Sequence, residues 1–332
     1  MYKVCILMST YNGEDYIRTQ IDSILAQDIS DMHLLVRDDG SKDSTLEILE
    51  EYKAKGQLEY YQNEIPNYTD LMDKIGKSFF DLCKNAPAAE YYAFADQDDY
   101  WLPNKLSVAI DMLEKESERL GYPYKHKIVP DGDEDSDEES TIVEHMPLLY
   151  CSYARLVDKD LNHIKHKRPK RRAKALRYYR SLMRTITPGC TNVINREALL
   201  MFLKYDYDYL GIHDWILQKV VALTGKIVYD KNSYILYRQH GKNACGTTKT
   251  KLTVRFREVW NEFYRAISTS ASGILHSYGD ILTPAQYKHV DLLANYRTSF
   301  WKKTRLFFSF KLTGNSFLYK VGTKLMVLFN RL

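Results

Sequence analysis

The sequence predicts an α/β protein: a mainly parallel sheet covered by helices on both faces, followed by a helical, basic extension. In the first 120 residues, short apolar runs alternate with longer amphipathic runs, and this alternation is typical of parallel strands joined by helical crossovers. The apolar runs are short and bounded by polar turns, as strands buried on both faces are. From residue 250 onward the pattern is instead helical, basic and aromatic.

The first half of the chain predicts four strands, at 4–8, 33–36, 58–61 and 91–95. Helices are predicted where apolar residues recur on one face, at 14–27, 44–55, 68–83 and 103–118. Asp43 or Ser44 suits the N-cap of the second helix, and Pro103 suits the first turn of the fourth. Ligands of such sheets bind at the carboxyl ends of the strands, which directs attention to the loops that follow them.

The second half predicts strands at 148–157 and 192–194 and a helix at 213–223. Two further short runs, at 227–229 and 234–237, predict a pair of strands.

Composition narrows the class of protein. The chain has 332 residues, of which 45% are hydrophobic and 27% charged, which excludes wholesale disorder. The uncharged stretch 266–279 is too short and too polar to span a bilayer, and the N-terminus lacks the features of a signal peptide. Five scattered cysteines without a CxxC pair argue against a disulfide framework and a zinc knuckle. We therefore expect a reducing, cytosolic compartment, with the cysteines as small core residues.

Charge is distributed very unevenly along the chain. Residues 1–145 carry 14 basic against 32 acidic side chains, a net charge of −18, whereas residues 146–332 carry 33 against 11, a net charge of +22. An acidic block lies at 131–139, and the run 165–184 has ten basic residues and no acid. Solvated loops are the favoured interpretation of both runs, and contact with phosphates or anionic lipid is the alternative for the basic run.

Two carboxylate clusters follow predicted strands. Asp96, Asp98 and Asp99 come directly after the strand at 91–95, and Asp38 and Asp39 follow the strand at 33–36. Crowded carboxylates repel one another, so a D-x-D at a strand end indicates a Mg²⁺ or Mn²⁺ site that binds a diphosphate. The alternative is a polar loop or helix cap, and residues 38–41 alone would equally form a turn in which Gly40 adopts a positive φ.

Six motifs in order give the clusters a more specific interpretation. Residues 9–13 (STYNG), 38–45 (DDGSKDST) and 96–99 (DQDD) resemble the N-terminal half of family 2 glycosyltransferases of the GT-A fold. Residues 188–191 (PGCT), 211–215 (GIHDW) and 237–243 (YRQHGKN) resemble the acceptor half of that family's bacterial rhamnosyltransferase-like branch. The resemblance covers about residues 1–245. It implies a Rossmann-like sheet with a nucleotide-sugar-binding half (1–120) and an acceptor-binding half (148–249), separated by an acidic insertion (121–147). The helical, basic and aromatic pattern after these segments predicts the basic extension (250–332).

The resemblance also implies a role for each matching residue. The nucleotide-binding residues would be Ser9, Tyr11, Asn12, Asp39 and Asp96, with Asp39 accepting a hydrogen bond from the pyrimidine ring. Asp98, Asp96 and His240 would hold the metal. Asp214 would be the catalytic base, kept ionised by the N-terminal end of its helix dipole; the alternatives are a simple helix cap for Asp214 and a satisfied loop histidine for His240. The residues near the acceptor or the diphosphate would be Gly189, Cys190, Thr191, His213, Trp215 and Arg238.

These features favour a metal-dependent, inverting glycosyltransferase that uses a dTDP- or UDP-sugar, with a rhamnose-like sugar favoured. The acceptor would be a glycan or lipid-linked oligosaccharide in cell-surface polysaccharide synthesis. One alternative is a haloacid-dehalogenase-like phosphatase, although Tyr100 stands where that motif needs Thr or Val. The other is a non-catalytic nucleotide- or membrane-binding protein; no nucleic-acid-binding motif is visible.

The basic extension predicts a location. Residues 251–332 carry 13 basic and four acidic side chains, interleaved with large apolar ones. Either these aromatics fold back onto the core, or the tail lies on the anionic inner face of the cell membrane and makes the protein a peripheral, cytoplasmic one.

Overall fold

A computed structural model of the chain describes residues 1–63, 71–121, 146–165, 176–209, 211–241, 267–309 and 317–330. The strands are β1 (Tyr2–Thr10), β2 (Met32–Asp38), β3 (Glu59–Gln62), β4 (Ala89–Asp96), β5 (Tyr100–Trp101), β6 (Leu148–Ser152), β7 (Arg155–Val157), β8 (Val193–Asn195), β9 (Lys226–Asp230) and β10 (Ile235–Arg238). The helices are α1 (Ile17–Leu25), α2 (Thr45–Ala54), α3 (Leu71–Asn85), α4 (Lys105–Arg119), α5 (Tyr178–Ser181), α6 (Arg196–Leu203), α7 (His213–Thr224), α8 (267–278), α9 (Pro284–Asn295), α10 (Phe300–Phe307) and α11 (Phe317–Leu328).

Seven strands form the central sheet, in the order β3-β2-β1-β4-β8-β6-β9. Neighbouring strands are parallel except at β8, which runs antiparallel to β4 and to β6. A smaller sheet has the order β5-β10-β7. The predicted mainly parallel sheet is confirmed.

The apolar run in β1 is continuous because both of its faces are buried. Val4, Ile6 and Met8 pack into one hydrophobic cluster together with residues of α1, α2 and α4. Cys5 and Leu7 pack into the other, together with residues of α3, α6 and α7. Helices therefore cover both faces of the sheet, as strand burial on two sides requires.

The strand register aligns the polar residues that follow the strands. β1 lies between β2 and β4, and Ser9 is opposite both Arg37 and Asp96. The loops after these parallel strands consequently meet at one edge of the sheet, which is where the cavity described below lies.

Two of the predicted strand arrangements are wrong. The run 148–157 is not one strand: it forms β6 in the central sheet and β7 in the small sheet. The runs 227–229 and 234–237 form strands that do not pair with each other, because β9 is parallel to β6 and β10 lies between β5 and β7. Local apolar patterns predict strands, whereas pairing depends on residues distant in sequence.

Two helix starts also differ in detail from the prediction. α4 begins at Lys105 after the N-cap Asn104, so Pro103 precedes the helix, and its carbonyl accepts a hydrogen bond from Asp28 N at 3.0 Å. Ser44 is the N-cap residue of α2, but the capping carboxylate belongs to Asp43, whose Oδ1 accepts a hydrogen bond from Thr45 N at 3.1 Å.

Cys5, Cys83, Cys151 and Cys190 are buried, and none of them is in a disulfide within the described residues, as expected of small core residues. The helical prediction for the extension is confirmed in its described part by α8 to α11. In the described ranges, no helix is both long enough and apolar enough to cross a membrane. The acidic block at 131–139, most of the basic run at 165–184, and Cys245 lie outside the described residues.

Candidate active site

A cavity of about 720 Å³ opens at the carboxyl edge of the central sheet. Its walls come from the ends of β1, β2 and β4, from the turn at 185–189, and from the start of α7. Of the residues that the sequence singled out, those lining it are Ser9, Tyr11, Asp39, Asp96, Asp98, Gly189, His213, Asp214 and Trp215. The structure thus brings together residues separated by up to two hundred positions in the chain.

One end of the cavity is built around Asp39, whose side chain is 6% exposed. The Arg37 guanidinium forms ion pairs with Asp39 and with Asp81, each at 3.0 Å. Burial raises the pKa of the Asp39 carboxyl, and Arg37 is the strongest of the groups that oppose this rise. Ser9 Oγ lies 3.5 Å from Asp39 Oδ2 and 2.8 Å from Ser78 Oγ. Arg37 was not among the site residues predicted from the sequence, although it directly precedes the two aspartates.

Asp38 shapes the adjacent turn and does not line the cavity. Its Oδ2 accepts hydrogen bonds from Gly40 N at 3.0 Å and Ser41 N at 2.9 Å, and Gly40 has φ +90°. The turn interpretation of these residues therefore holds for Asp38 and Gly40, while Asp39 faces the cavity.

The loop after β1 is locked to the D-x-D by Gln97, the middle residue of that motif. Gln97 Oε1 accepts a hydrogen bond from Tyr11 N at 2.8 Å, and Gln97 Nε2 donates to Tyr11 O at 3.1 Å. A Cβ on Gly13 would lie only 2.4 Å from Gln97 Oε1, which explains the glycine there. Tyr11 itself is 49% exposed at the mouth of the cavity, with Lys74 Nζ 4.8 Å from its ring centre.

Asn12 does not line the cavity. It has a positive φ of 47°, and its Oδ1 accepts a hydrogen bond from Lys42 N at 2.8 Å. In the structure this residue joins the loop after β1 to the loop after β2.

Beyond the Asp39 end of the cavity lies a cluster of acids. Asp98 Oδ2 and His240 Nε2 are 2.7 Å apart, and the His240 ring packs on Tyr16 at 4.6 Å. Asp99 is fully buried and accepts a hydrogen bond from Arg238 N at 3.1 Å. Desolvation and the charge of Asp98 raise the pKa of Asp96 to about 7, and the same causes raise that of Asp99 well above its ordinary value.

The carboxylates of this cluster fit Mg²⁺ or Mn²⁺. Asp96 and Asp98 offer carboxylate oxygens, the ligands that these ions prefer, whereas the imidazole nitrogen of His240 is a ligand type that Zn²⁺ and later transition metals favour. Burial is the larger cause of the raised pKa values of Asp96 and Asp99, and repulsion between like charges adds to it; a divalent cation would relieve that repulsion. Cys190 Sγ lies within 4.8 Å of ligand atoms of Asp96 and Asp99. Burial raises the pKa of the Cys190 thiol well above its usual value, so it remains protonated and is a poor metal ligand.

Lys105 lies beneath the acid cluster and was not singled out from the sequence. It is 1% exposed, and its Nζ lies 3.4 Å from the centre of the Trp101 ring. Burial lowers the pKa of the Lys105 ammonium to about 7, while Cys190 and Asp99 oppose this.

Asp214 stands in the first turn of α7 and is 7% exposed. Burial, followed by the charge of Asp96, raises its pKa to about 7, and backbone N–H groups including that of Gly189 only partly oppose this. The expectation that the helix terminus keeps Asp214 ionised is therefore wrong, because desolvation outweighs the dipole. A carboxyl with a pKa near 7 is instead matched to accept a proton at neutral pH.

The turn before β8 packs tightly against Asp214. A Cβ on Gly189 would lie 2.6 Å from His213 Nε2 and 3.1 Å from Asp214 Cβ, so only glycine fits there without displacement. His213 is buried against Phe79 and Phe94, with ring centres 3.9 and 5.5 Å away. Burial lowers the pKa of His213 to about 3, so this imidazole is neutral.

Three of the residues expected near the acceptor or diphosphate lie behind the cavity wall. Cys190 and Thr191 are buried, and Thr191 Oγ1 donates a hydrogen bond to Pro188 O at 2.8 Å. The Arg238 guanidinium lies 4.6 Å from the Tyr16 ring centre, and its Nε donates to Asp98 O at 2.8 Å. Arg238 thereby ties β10 to the D-x-D loop.

Lys219 is a buried residue of α7 that sequence reasoning missed. Its Nζ donates a hydrogen bond to Ser270 Oγ at 2.6 Å, which joins α7 to α8. Burial lowers the pKa of Lys219 to about 7, and the charge of Asp214 opposes this. Its signal in the sequence was a lysine on the apolar side of a helix.

Comparison with known proteins places these features in a family. The profile of Glycosyl transferase family 2 matches residues 5–199. The dTDP-rhamnosyl transferase RfbG of Shigella flexneri is 29% identical over 283 residues, which are 81% of this chain and 84% of that protein. The UDP-Glc:alpha-D-GlcNAc-diphosphoundecaprenol beta-1,3-glucosyltransferase WfgD of Escherichia coli is 33% identical over 114 residues, 34% of this chain and 42% of that protein.

Solved structures show the same fold. The crystal structure of S. aureus TarS 1-349 aligns with a TM-score of 0.55 at 18% identity, covering 98% of this chain and 80% of that one. The structure of TarS 1-349 in complex with UDP-GlcNAc aligns with a TM-score of 0.54 at 18% identity, covering 93% and 77%.

The predicted resemblance and the predicted GT-A fold are thus confirmed, and the phosphatase and non-catalytic interpretations are replaced. Because the profile match spans more than half of the sequence, the chain belongs to glycosyl transferase family 2, and it is a glycosyltransferase that uses nucleotide sugars.

Proposed function

We propose that the protein transfers a rhamnose-like sugar from a dTDP- or UDP-sugar to a hydroxyl group of a glycan or lipid-linked oligosaccharide, with inversion at the anomeric carbon. The observation that carries this proposal is that one cavity contains Asp39, the D-x-D and Asp214. The similarity to a dTDP-rhamnosyl transferase supports the rhamnose-like donor, and the fold shared with a UDP-GlcNAc complex keeps a UDP-sugar as the alternative.

The donor's nucleoside binds at the Asp39 end. An ionised Asp39 accepts the hydrogen bond of the pyrimidine N–H, with Arg37 providing its countercharge at 3.0 Å. Ser9 and Tyr11 complete this pocket, Asp96 contacts the ribose, and Asn12 contributes by fixing the loop.

Asp98, Asp96 and His240 would hold the divalent cation. Mg²⁺ or Mn²⁺, when bound, neutralises the negative charge of the departing diphosphate. The 2.7 Å contact with His240 fixes the direction of the Asp98 carboxylate. Arg238 holds the backbone of the same loop in place.

Asp214 takes the acceptor's proton. The acceptor oxygen forms a bond to the anomeric carbon while the bond from that carbon to the diphosphate breaks, and the hydroxyl proton moves to the Asp214 carboxylate. Gly189 and the neutral His213 position Asp214 by contact, Trp215 offers an apolar face to the acceptor, and Cys190 and Thr191 support this wall from behind.

The remaining proposals concern organisation and location. The chain divides into the nucleotide-sugar-binding half, the acidic insertion, the acceptor-binding half and the basic extension at the boundaries given above. The protein acts in the cytoplasm at the inner face of the cell membrane, where lipid-linked acceptors are available.

A panel of nucleotide sugars tests the proposed donor. With Mn²⁺ or Mg²⁺ present, we expect dTDP-rhamnose to raise the melting temperature, because a ligand that binds only the folded state stabilises it. The same donor should release nucleoside diphosphate when an acceptor is added. Stabilisation by UDP-sugars alone would move the donor class to UDP, and no response to any nucleotide sugar would contradict the proposal.

A further inference from the structure

The last two described helices each expose an apolar stripe at helical spacing. On α10, Trp301 and Phe308 are 78% and 66% exposed, and Arg305 lies between them on the same face. On α11, the exposed residues Val321, Leu325 and Leu328 recur at the i, i+4, i+7 spacing of one helical face. A soluble helix normally exposes polar residues at these positions, so both helices have the reverse of the expected pattern.

The opposite faces of the same helices are already buried. Leu306 of α10 and Met326 and Val327 of α11 belong to the hydrophobic cluster that also contains residues of α7. α10 packs against α11, and Lys324 Nζ lies 5.5 Å from the Phe307 ring centre. The packing of the described residues therefore does not explain the exposed stripes, since α11 is apolar on both faces.

The exposed apolar residues form the surface named here the aromatic tail surface: Phe300, Trp301, Phe308, Val321, Leu325, Leu328 and Phe329. Phe300 and Phe329 are 74% and 68% exposed. Because α10 packs against α11, these residues lie on neighbouring helices, and exposed apolar side chains in this number mark an interaction site.

The stretch of sequence that carries these two helices has charge of one sign. Residues 292–332 contain no Asp or Glu, and their basic residues are Arg297, Lys302, Lys303, Arg305, Lys311, Lys320, Lys324 and Arg331. Lys302 is neutralised by Asp291 at 2.9 Å. The excess positive charge favours an anionic partner and disfavours symmetric pairing of this surface with the same surface of a second copy, which would bring two cationic surfaces together.

We infer that the aromatic tail surface lies on an anionic phospholipid bilayer, with its aromatic and aliphatic side chains at the interface and its basic side chains against the headgroups. Phe and Trp beside Lys and Arg are the residues that helices in the bilayer interface use. Basic side chains near an anionic leaflet add attraction that salt screens, whereas apolar insertion is not screened.

The surface is joined to the helix that carries Asp214. Gln286 of α9 donates a hydrogen bond to Leu223 O near the end of α7, at 2.9 Å, and Asp291 of α9 pairs with Lys302 of α10. Binding to the bilayer does not depend on the reaction. The inference rests on the proposed function only for what the binding would achieve, which is to bring the enzyme to a lipid-linked acceptor.

Flotation with vesicles tests the inference on the full chain. With vesicles of phosphatidylcholine and phosphatidylglycerol at low salt, we expect wild-type protein to float and the Phe300→Ser/Trp301→Ser/Phe308→Ser variant to bind about tenfold or more weakly. The matched control is Leu200→Ser/Ile281→Ser/Tyr287→Ser, which removes three apolar side chains that are 47–52% exposed elsewhere. This control should float like wild type, and pure phosphatidylcholine should bind less protein.

A second measurement does not depend on the fold of the triple variant. Brominated lipids should quench the tryptophan emission of wild-type protein, and Trp301→Phe should remove most of that quenching. Equal flotation of wild type and triple variant, or unchanged quenching in Trp301→Phe, would overturn the inference. So would a wild-type dimer that the triple variant converts to monomers, because the surface would then bind a second copy.

Donor turnover in solution separates this inference from the proposed function. The triple variant should release nucleoside diphosphate from the donor as wild type does when a soluble acceptor is used. Flotation without turnover of any nucleotide sugar would overturn the proposed function and leave the bilayer surface standing.

Discussion

Asp39 and Asp214 are both buried carboxyls in one cavity, but their surroundings differ. Asp39 has the Arg37 guanidinium at 3.0 Å, and Arg37 is anchored in turn by Asp81. Asp214 forms no ion pair with a basic side chain in the described part of the chain, and burial, followed by the charge of Asp96, raises its pKa to about 7. A carboxyl group beside a countercharge is suited to stay ionised and to accept a hydrogen bond. A carboxyl group without a countercharge is suited to exchange a proton.

The acid cluster between these two residues should give the largest effect. Asp98→Ala is expected to reduce transfer to background, because it removes the carboxylate assigned to the cation and the partner of His240. The fold should be retained, since the substitution removes a like charge beside Asp96 and Asp99. Activity and melting temperature should be measured beside Asp111→Ala, which changes an exposed acid of α4. Wild-type turnover in excess EDTA would contradict the metal assignment.

Removing the proton acceptor should come next. Asp214→Asn is expected to lower kcat by about two to four orders of magnitude, the range for loss of a general base, while donor binding is retained. Asp208→Asn, which changes an exposed acid nearby, should leave kcat unchanged. Near-normal turnover by Asp214→Asn would assign the role of base to another carboxyl.

The pH dependence distinguishes the two carboxyls without a mutation. An acid with a raised pKa stays protonated up to that pKa, so the basic form of Asp214 appears as pH rises through about 7. We expect kcat to fall about tenfold for each pH unit below the pKa of Asp214, as loss of one essential ionised group requires. The KM for the donor should not follow the same curve. A kcat that is flat from pH 5 to 8 would show that Asp214 does not accept the proton in the rate-limiting step.

The smallest effect is expected at the countercharge of Asp39. Arg37→Lys keeps a positive charge but cannot reach Asp39 and Asp81 together in a fork, so it should raise the donor KM about tenfold with little change in kcat. Arg18→Lys, at an exposed pair with Glu51, is the matched control. An unchanged KM would mean that Arg37 serves the fold alone.

Much of the fold and the identity of many site residues could be predicted from the sequence. Strands such as β1 and helices such as α7 follow from apolar periodicity, a local property that each segment carries by itself. Six short motifs in a fixed order were enough to predict the family. Nine of the residues to which the sequence assigned a role line one cavity.

The tertiary structure decided what depends on distant neighbours. Strand pairing placed β9 and β10 in different sheets, although they are separated by only four residues. Desolvation raised the pKa of Asp214 in spite of the opposing helix dipole. Long-range contacts made Arg37, Gln97 and Lys219 part of the site. The sequence by itself determined which segments are apolar, charged or turn-forming, because those properties are local. Only the fold decided which charges are buried together and which apolar stripes stay exposed, because both depend on contacts summed over the whole chain.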